Sequence, residues 1–415
     1  YSGFYTGAFP ASMGNAVSGV FDLKLRNGNR EKHEYVFQAG VIGIEARAEG
    51  PLKAGDNSSY IANYRYSTLG VLNATGLKVS GDAEPVFQDR AFKIRLPTEH
   101  TGIFSIYGVG GYSSVKSSFS DNNKVKRELF KSSNWMWVSG VNHLLFLNNK
   151  TTIESNLGSS STGKRDVFEA SPFESDAPFI TMGRTDNHYH NIRANSSISH
   201  KINAKHKVDA GFTWSLLTFK LNTLEFDIPT RQLYNSYQGK GNAHLFQPYV
   251  NWQFRPSNEW TINTGLHAMH FNLSGQTQIE PRYGISYQHS ARHIFSLGGG
   301  LHSRIEAFST YFGLTPELPG VTFNRRMRSG KAIHQVAGHQ MALNDKTTLK
   351  TEAYFQYLYN EPAGTDSLSY FSALKAIYEQ YYHRLANTGK GRNYGIDFTL
   401  DRIFHNNYYL TLTQS

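Results

Sequence analysis

Apolar and polar residues alternate with a period of two along most of this chain, as strands with two unlike faces require. In 246–254, Phe246, Pro248, Val250, Trp252 and Phe254 share one face, and Gln247, Tyr249, Asn251 and Gln253 share the other. In 208–216, Val208, Ala210, Phe212, Trp214 and Leu216 oppose Asp209, Gly211, Thr213 and Ser215. The runs 260–269 and 349–357 repeat the pattern. One oily face and one wet face suit lipid outside and water inside. A sandwich core asks for the same alternation, but in strands of about 5–6 residues. Runs such as 205–221 and 258–272 exceed the roughly 9–11 residues of a tilted membrane strand.

Tight polar reversals punctuate these runs: Asn148-Asn149-Lys150, Ile202-Asn203-Ala204-Lys205, Pro256-Ser257-Asn258, Ser290-Ala291-Arg292, Asn344-Asp345-Lys346 and His405-Asn406-Asn407. Long excursions near 114–133, 166–186, 223–242, 306–332 and 361–388 lie between them. Links this short join antiparallel neighbours. Short links at one end and long loops at the other predict an all-β fold, an antiparallel up-and-down transmembrane β-barrel. Seventeen strands are expected, from 33–41 through 407–415, with every tight turn periplasmic and every long loop outside. Two loop pieces, 67–77 and 374–385, read as helical. Seventeen strands are not expected to close unaided, because single-chain bacterial barrels usually have an even count and open edges strand backbone groups in hydrocarbon. Tyr1 at the start and an unfinished strand at Ser415 read as a segment of a longer protein.

Composition changes little in this picture. Hydrophobic residues are 39% of the chain, low on average because a barrel strand shows lipid only at every second position. The 25 Tyr, 27 Phe and 37 Gly fit aromatic girdles and crowded walls. With no cysteine, disulfides, thiolate metal sites and thiol nucleophiles are excluded. The net charge of +10 reads as a solvated surface, or as attraction to anionic lipid or an anionic ligand.

Signals for catalysis are weak. His188 and His190 share an outward strand face and read as polar rim, while His267 and His270 fall on opposite faces and cannot chelate one ion. Gly298-Gly299-Gly300 lacks the lysine and helix of a phosphate loop and reads as close strand packing or room inside the barrel. No metal site, no cofactor and no enzyme activity are expected.

The opening residues Tyr5 to Arg26, with Pro10-Ala11-Ser12-Met13-Gly14-Asn15-Ala16-Val17-Ser18-Gly19-Val20 at their centre, resemble the end of the plug domain of TonB-dependent outer-membrane receptors. Glu49-Gly50-Pro51-Leu52, Glu280-Pro281-Arg282-Tyr283-Gly284, Glu352 to Pro362 and Gly389-Lys390-Gly391-Arg392-Asn393-Tyr394-Gly395 look like barrel motifs of that family. The resemblance implies the end of a plug over 1–30 and a barrel over 31–415. It also implies a barrel of about 22 strands, so about five more than the seventeen read here. It implies import of a scarce solute (iron chelate, vitamin, glycan or peptide) energised through TonB, ExbB and ExbD. Outer-membrane lipids and lipopolysaccharide are further expected partners, and a surface lipoprotein lid stays open because Asn15 to Asp22 departs from the glycan-transporter ending.

Within that frame, inward-phase Glu154, Arg193, Asp209, Arg282, Lys350, Glu352 and Asp397 are candidate lumen or plug contacts. Arg325, Arg326 and Arg328 place three guanidinium groups in one external loop, a chemistry that suits carboxylate or phosphate. Tyr378, Tyr381 and Tyr382 offer rings on which a ligand could stack. A passive porin or adhesin barrel without a coupled plug is the alternative reading, and a barrel lipid hydrolase a further one.

Overall fold

A computed structural model describes residues 2–5, 7–53, 55–69, 83–120, 127–171, 178–314, 322–365, 371–374, 384–405 and 408–415. Two short strands, β1 (Ser2–Tyr5) and β2 (Val20–Leu23), pair as a separate antiparallel ribbon. The wall follows as β3 (Glu34–Ala39), β4 (Gly43–Gly50), β5 (Ser59–Ser67), β6 (Ala83–Pro97), β7 (Ile103–Ser120), β8 (Arg127–Asn148), β9 (Thr151–Ser171) and β10 (Ile180–Lys201). It continues with β11 (His206–Asp227), β12 (Gln232–Phe254), β13 (Trp260–Phe271), β14 (Gln276–Gln288) and β15 (His293–Arg304). The last strands are β16 (Gly330–Asn344), β17 (Thr347–Gly364), β18 (Leu385–His405) and β19 (Tyr408–Gln414). One short helix, α1 (Phe308–Tyr311), sits in the β15–β16 connection.

Neighbours in sequence are neighbours in the sheet, all antiparallel, as an up-and-down barrel demands. The alternation fixes which face is outside. Phe212, Phe246, Val250, Trp252, Leu266, Ile279 and Phe355 are exposed on the outer surface, while the intervening Ser215, Gln247, His267 and Glu280 are buried in the interior. A one-residue slip would exchange the two sets, so the pattern pins the register. At the tight-turn end, aromatic side chains stack: Trp260 with Tyr287 across β13 and β14 at 4.4 Å, and Trp252 with Phe254 along β12 at 5.5 Å between ring centres. Such rings suit the water–lipid boundary. Among the described residues no helix is long and apolar enough to cross a membrane.

Three expectations are corrected. The excursion at 223–242 is mostly strand: β11 runs on to Asp227 and β12 begins at Gln232, leaving a four-residue turn. Strands likewise invade 114–133 and 166–186. The backbone ladder needs no apolar face, so hairpins continue above the bilayer after the alternation fades. The connections at 40–42 and 272–275 are also short, so loop length does not sort cleanly between the two ends. Finally, the ring of seventeen strands is closed. An odd count makes the first and last strands run the same way, which a parallel seam accommodates. That seam is thinly covered, since every residue of β19 is exposed. The helix read at 67–77 lies outside the described residues apart from 67–69, and most of 374–385 does as well, with Leu385 opening β18 instead.

Candidate functional site

Inward-facing polar side chains of β12 to β16 converge on residues 7–19, which run through the barrel interior. Phe9 and Ala11 are fully buried there. The Arg282 guanidinium on β14 donates to the backbone carbonyls of Pro10, at 2.6 Å, and of Met13, and lies 4.9 Å over the Phe9 ring. Its charge is balanced by Glu280 on the same face at 2.5 Å, which in turn accepts a hydrogen bond from Ser303. The ion pair is almost wholly removed from solvent, at 3% and 0% side-chain exposure. Desolvating two charges is costly unless hydrogen bonds offset it; the carbonyls of the buried segment do so at Nη1 and Glu280 at Nη2, while Nε is buried without a partner.

Histidine and asparagine extend the grip. His267 on β13 bonds the Ala11 carbonyl through Nδ1 at 2.8 Å, and His334 on β16 bonds the Val17 carbonyl through Nε2 at 3.0 Å. Both carbonyls can only accept, so the bonded ring nitrogens carry the protons. Asn251 accepts from the Ala11 amide at 3.2 Å, and Asn15 accepts from the Ile305 amide at 2.9 Å. The ring of His302 packs between Phe9 and His334, with centres 4.1 Å and 4.5 Å away. Small residues make room. A Cβ on Gly14 would collide with the His267 ring and Gln247, and one on Gly298 would come within 3.1 Å of Ala8. The three-glycine run is therefore a place where wall and segment approach closely.

Beside this contact lies a cavity of ≈ 570 Å³, bounded by Pro10 and Ser12 of the segment and by Glu154, Lys207, Asp209 and Tyr249 of the wall. On the opposite, loop-bearing side, α1 folds inward. Phe308, Tyr311 and Phe312 pack on Phe219, Leu245 and Phe271, closing an apolar cluster across the interior. Glu306 leads into α1 with almost no exposure and accepts from the Gly330 amide at 3.1 Å. Burial pushes its carboxyl up to about 7, and the Glu361 carboxylate nearby adds to the rise.

The residues singled out from sequence are placed as follows. Arg282 touches the buried segment. Glu154 and Asp209 face the cavity, with Glu154 accepting from Asn142 at 2.9 Å and Asp209 paired with Lys207 at 2.9 Å. Arg193 reaches Ser215 at 3.3 Å, Lys350 pairs with Glu352 at 2.7 Å, and Asp397 stands opposite Glu352 in the register. These do not form one site. Arg325, Arg326 and Arg328 are exposed around the buried Met327. Arg325 lies over Phe312 at 4.9 Å, and the Arg328 amide is tied to Asn387 at 2.8 Å. Tyr378, Tyr381 and Tyr382 lie outside the described residues. Among the described residues no cluster of three or more metal-ligating side chains occurs.

Sequence reasoning missed His267, His302, His334 and Asn251 as contacts of the segment and Glu280 as the partner of Arg282. Their signal was present but faint: each is a polar residue in phase with an inward face.

No family model matches this sequence, and no curated protein matches it. Solved structures do. A mutant of the ferric enterobactin receptor PfeA from Pseudomonas aeruginosa superposes with a TM-score of 0.64 at 13% identity, covering 97% of this chain and 64% of that one. The siderophore receptor PiuA from Acinetobacter baumannii gives 0.68 at 10% identity over 97% and 66%. The outer membrane transporter YddB from Escherichia coli gives 0.62 at 10% identity over 97% and 61%. The fold is that of the TonB-dependent receptor barrels. The chain spans somewhat less than two thirds of the length of PfeA.

Proposed function

We propose that this chain comprises the end of the plug, over residues 1–30, and the barrel, over 31–415, of an outer-membrane receptor. In this reading it imports a scarce anionic solute, an iron chelate foremost, energised through TonB, ExbB and ExbD. The observation that carries the reading is the occupied interior: a barrel whose Arg282, His267, His334 and Asn251 are engaged by a threaded segment is not built as an open pore. The likeness to ferric enterobactin and siderophore receptors supports the iron-chelate class. No covalent step is needed, so the protein acts as a transporter and not as an enzyme. Arg325, Arg326 and Arg328 face solvent on the side where a chelate arrives, and guanidinium forks suit its carboxylate or catecholate oxygens.

Uptake of radiolabelled ferric chelates by cells carrying the protein tests this. Accumulation is expected to stop when the proton-motive force is collapsed. Uptake that continues unchanged would establish the porin alternative. Replacing all three arginines by glutamine is expected to weaken chelate binding about tenfold or more, equivalent to at least one charge-assisted contact.

A further inference from the structure

Two buried carboxyl groups converge on Gly330, the first residue of β16. Glu306 leads into α1, and Glu361 belongs to β17. The Gly330 amide donates to Glu306 Oε1 at 3.1 Å, and Glu361 Oε1 lies 2.5 Å from where a Cβ on Gly330 would stand. Glu306 is 4% exposed and Glu361 1%. The Tyr311 hydroxyl accepts from the Glu306 amide at 3.2 Å, so α1 is tied to the same place.

Glu361 reaches this position through an irregularity in its strand. Leu358 packs inward against Val17, and strict alternation would turn residue 361 outward. Leu358 pairs with Gly391 but Glu361 pairs with Gly389, so β17 carries one extra residue in this interval, a bulge. Asn360 lies there with a φ of 59°, and its carbonyl accepts from Asn387 at 2.6 Å. The bulge re-aims the Glu361 carboxyl into the interior.

A buried carboxylate is costly without a partner. Glu49 and Glu280, the other buried acids among the described residues, pair with Arg26 and Arg282. Glu361 Oε1 has no hydrogen-bond partner. Arg304, the neighbouring cation, is exposed, and among the described residues it forms no ion pair with Glu306 or Glu361.

We propose that Glu306 and Glu361 hold a divalent cation of the calcium type, which fastens the infolded loop to β16 and β17. Oxygen donors alone select a hard cation. The ion supplies the positive charge that this pair lacks, and water fills its remaining coordination positions. With two carboxylates the expected Kd is about 10⁻⁴–10⁻³ M, the range of extracellular calcium sites. The proposal concerns the anchoring of the loop and stands whichever solute is imported.

Hydrogen exchange over 305–314 in the detergent-solubilised protein at pH 8 tests it. Calcium in tenfold excess over Kd is expected to slow exchange about tenfold relative to chelator-treated protein. Glu361→Gln keeps the shape of the side chain and removes its charge. In chelator it should match or exceed the parent's protection, because the repulsion between carboxylates is gone, yet its response to calcium should vanish. Unchanged exchange in the wall strands verifies that the variant is folded. A parent that does not respond to calcium overturns the proposal. An undiminished response in Glu361→Gln, which would place the ion elsewhere, also overturns it. So does lost protection of the variant in chelator, the mark of a merely structural glutamate, and so does equal protection by potassium chloride at matched ionic strength, which would be screening.

Discussion

Two sectors of one wall are built differently. Strands β8 to β12 contain 21 to 23 residues, whereas β13 to β15 contain 12 or 13. At about 3.3 Å per residue this is roughly 70 Å of strand against roughly 40 Å. The tall sector rises well past the bilayer, and its inward charges Glu154, Arg193 and Asp209 stay partly exposed, two of them beside a cavity. The short sector ends near the membrane, and its inward groups Glu280, Arg282, His267 and His302 are buried against the N-terminal segment or α1. The same alternation thus yields two interiors. What differs is what faces the charged groups: open space beside Glu154 and Asp209 on the tall side, backbone carbonyls of the buried segment around Arg282 on the short side. The infolded loop packs on Phe219 and Leu245 of the tall strands and on Phe271 of the short ones.

Removing Arg282 should give the largest separation between the sectors. Arg282→Met leaves Glu280 as an uncompensated buried charge and strips donors from the Pro10 and Met13 carbonyls. The cost expected for breaking such a pair is about 3–5 kcal/mol. Hydrogen exchange of residues 7–19 should accelerate strongly while the wall strands hold. Asp209→Asn on the tall side should leave that exchange unchanged, and equal effects from the two would erase the distinction drawn here.

A smaller effect is expected from crowding. Gly14→Ala forces a Cβ into His267 and Gln247, whereas nothing lies within 4 Å of a Cβ on Gly284. Overpacking of this kind costs about 1–3 kcal/mol. Proteolysis within 7–19 should therefore rise for Gly14→Ala and stay at the parent level for Gly284→Ala; parity between them would show that the segment is not tightly seated.

The infolded loop should respond to pH. Glu306 has its carboxyl raised to about 7 by burial, so the folded loop favours the protonated acid. Its stabilising contribution is complete below the ordinary value of 4.5 and is lost as pH rises through about 7. Exchange protection over 305–314 is expected to fall between pH 5 and pH 8, and Glu306→Gln should flatten that profile. An unchanged slope in the variant would assign the titration to another group.

The smallest change belongs to exposed pairs. Lys350 and Glu352 are 48% and 32% exposed, so Lys350→Ala should alter thermal stability by about 1 kcal/mol or less. A loss comparable with that of Arg282→Met would mean that inward charges matter alike wherever they sit.

Much of this was legible beforehand. Phe246, Val250 and Trp252 against Gln247, Tyr249 and Asn251 state the two faces of β12 outright, because side chains on a strand alternate by geometry. The tight turns at Asn148 and Asn344 state the antiparallel order for the same local reason. Arg282 could be assigned to the inner face, but its partners could not be named, since Pro10 and Met13 lie some 270 positions away in the chain. Strand height was misread at 223–242 because the backbone ladder persists where the hydropathy signal stops.

Sequence alone therefore determined the period, the faces and the strand order, all set by near neighbours. Tertiary structure alone decided which inward groups are buried, which carbonyls they hold and how α1 folds into the interior. Those facts depend on distances across a ring, and local propensity carries no information about what lies on the far side of a barrel.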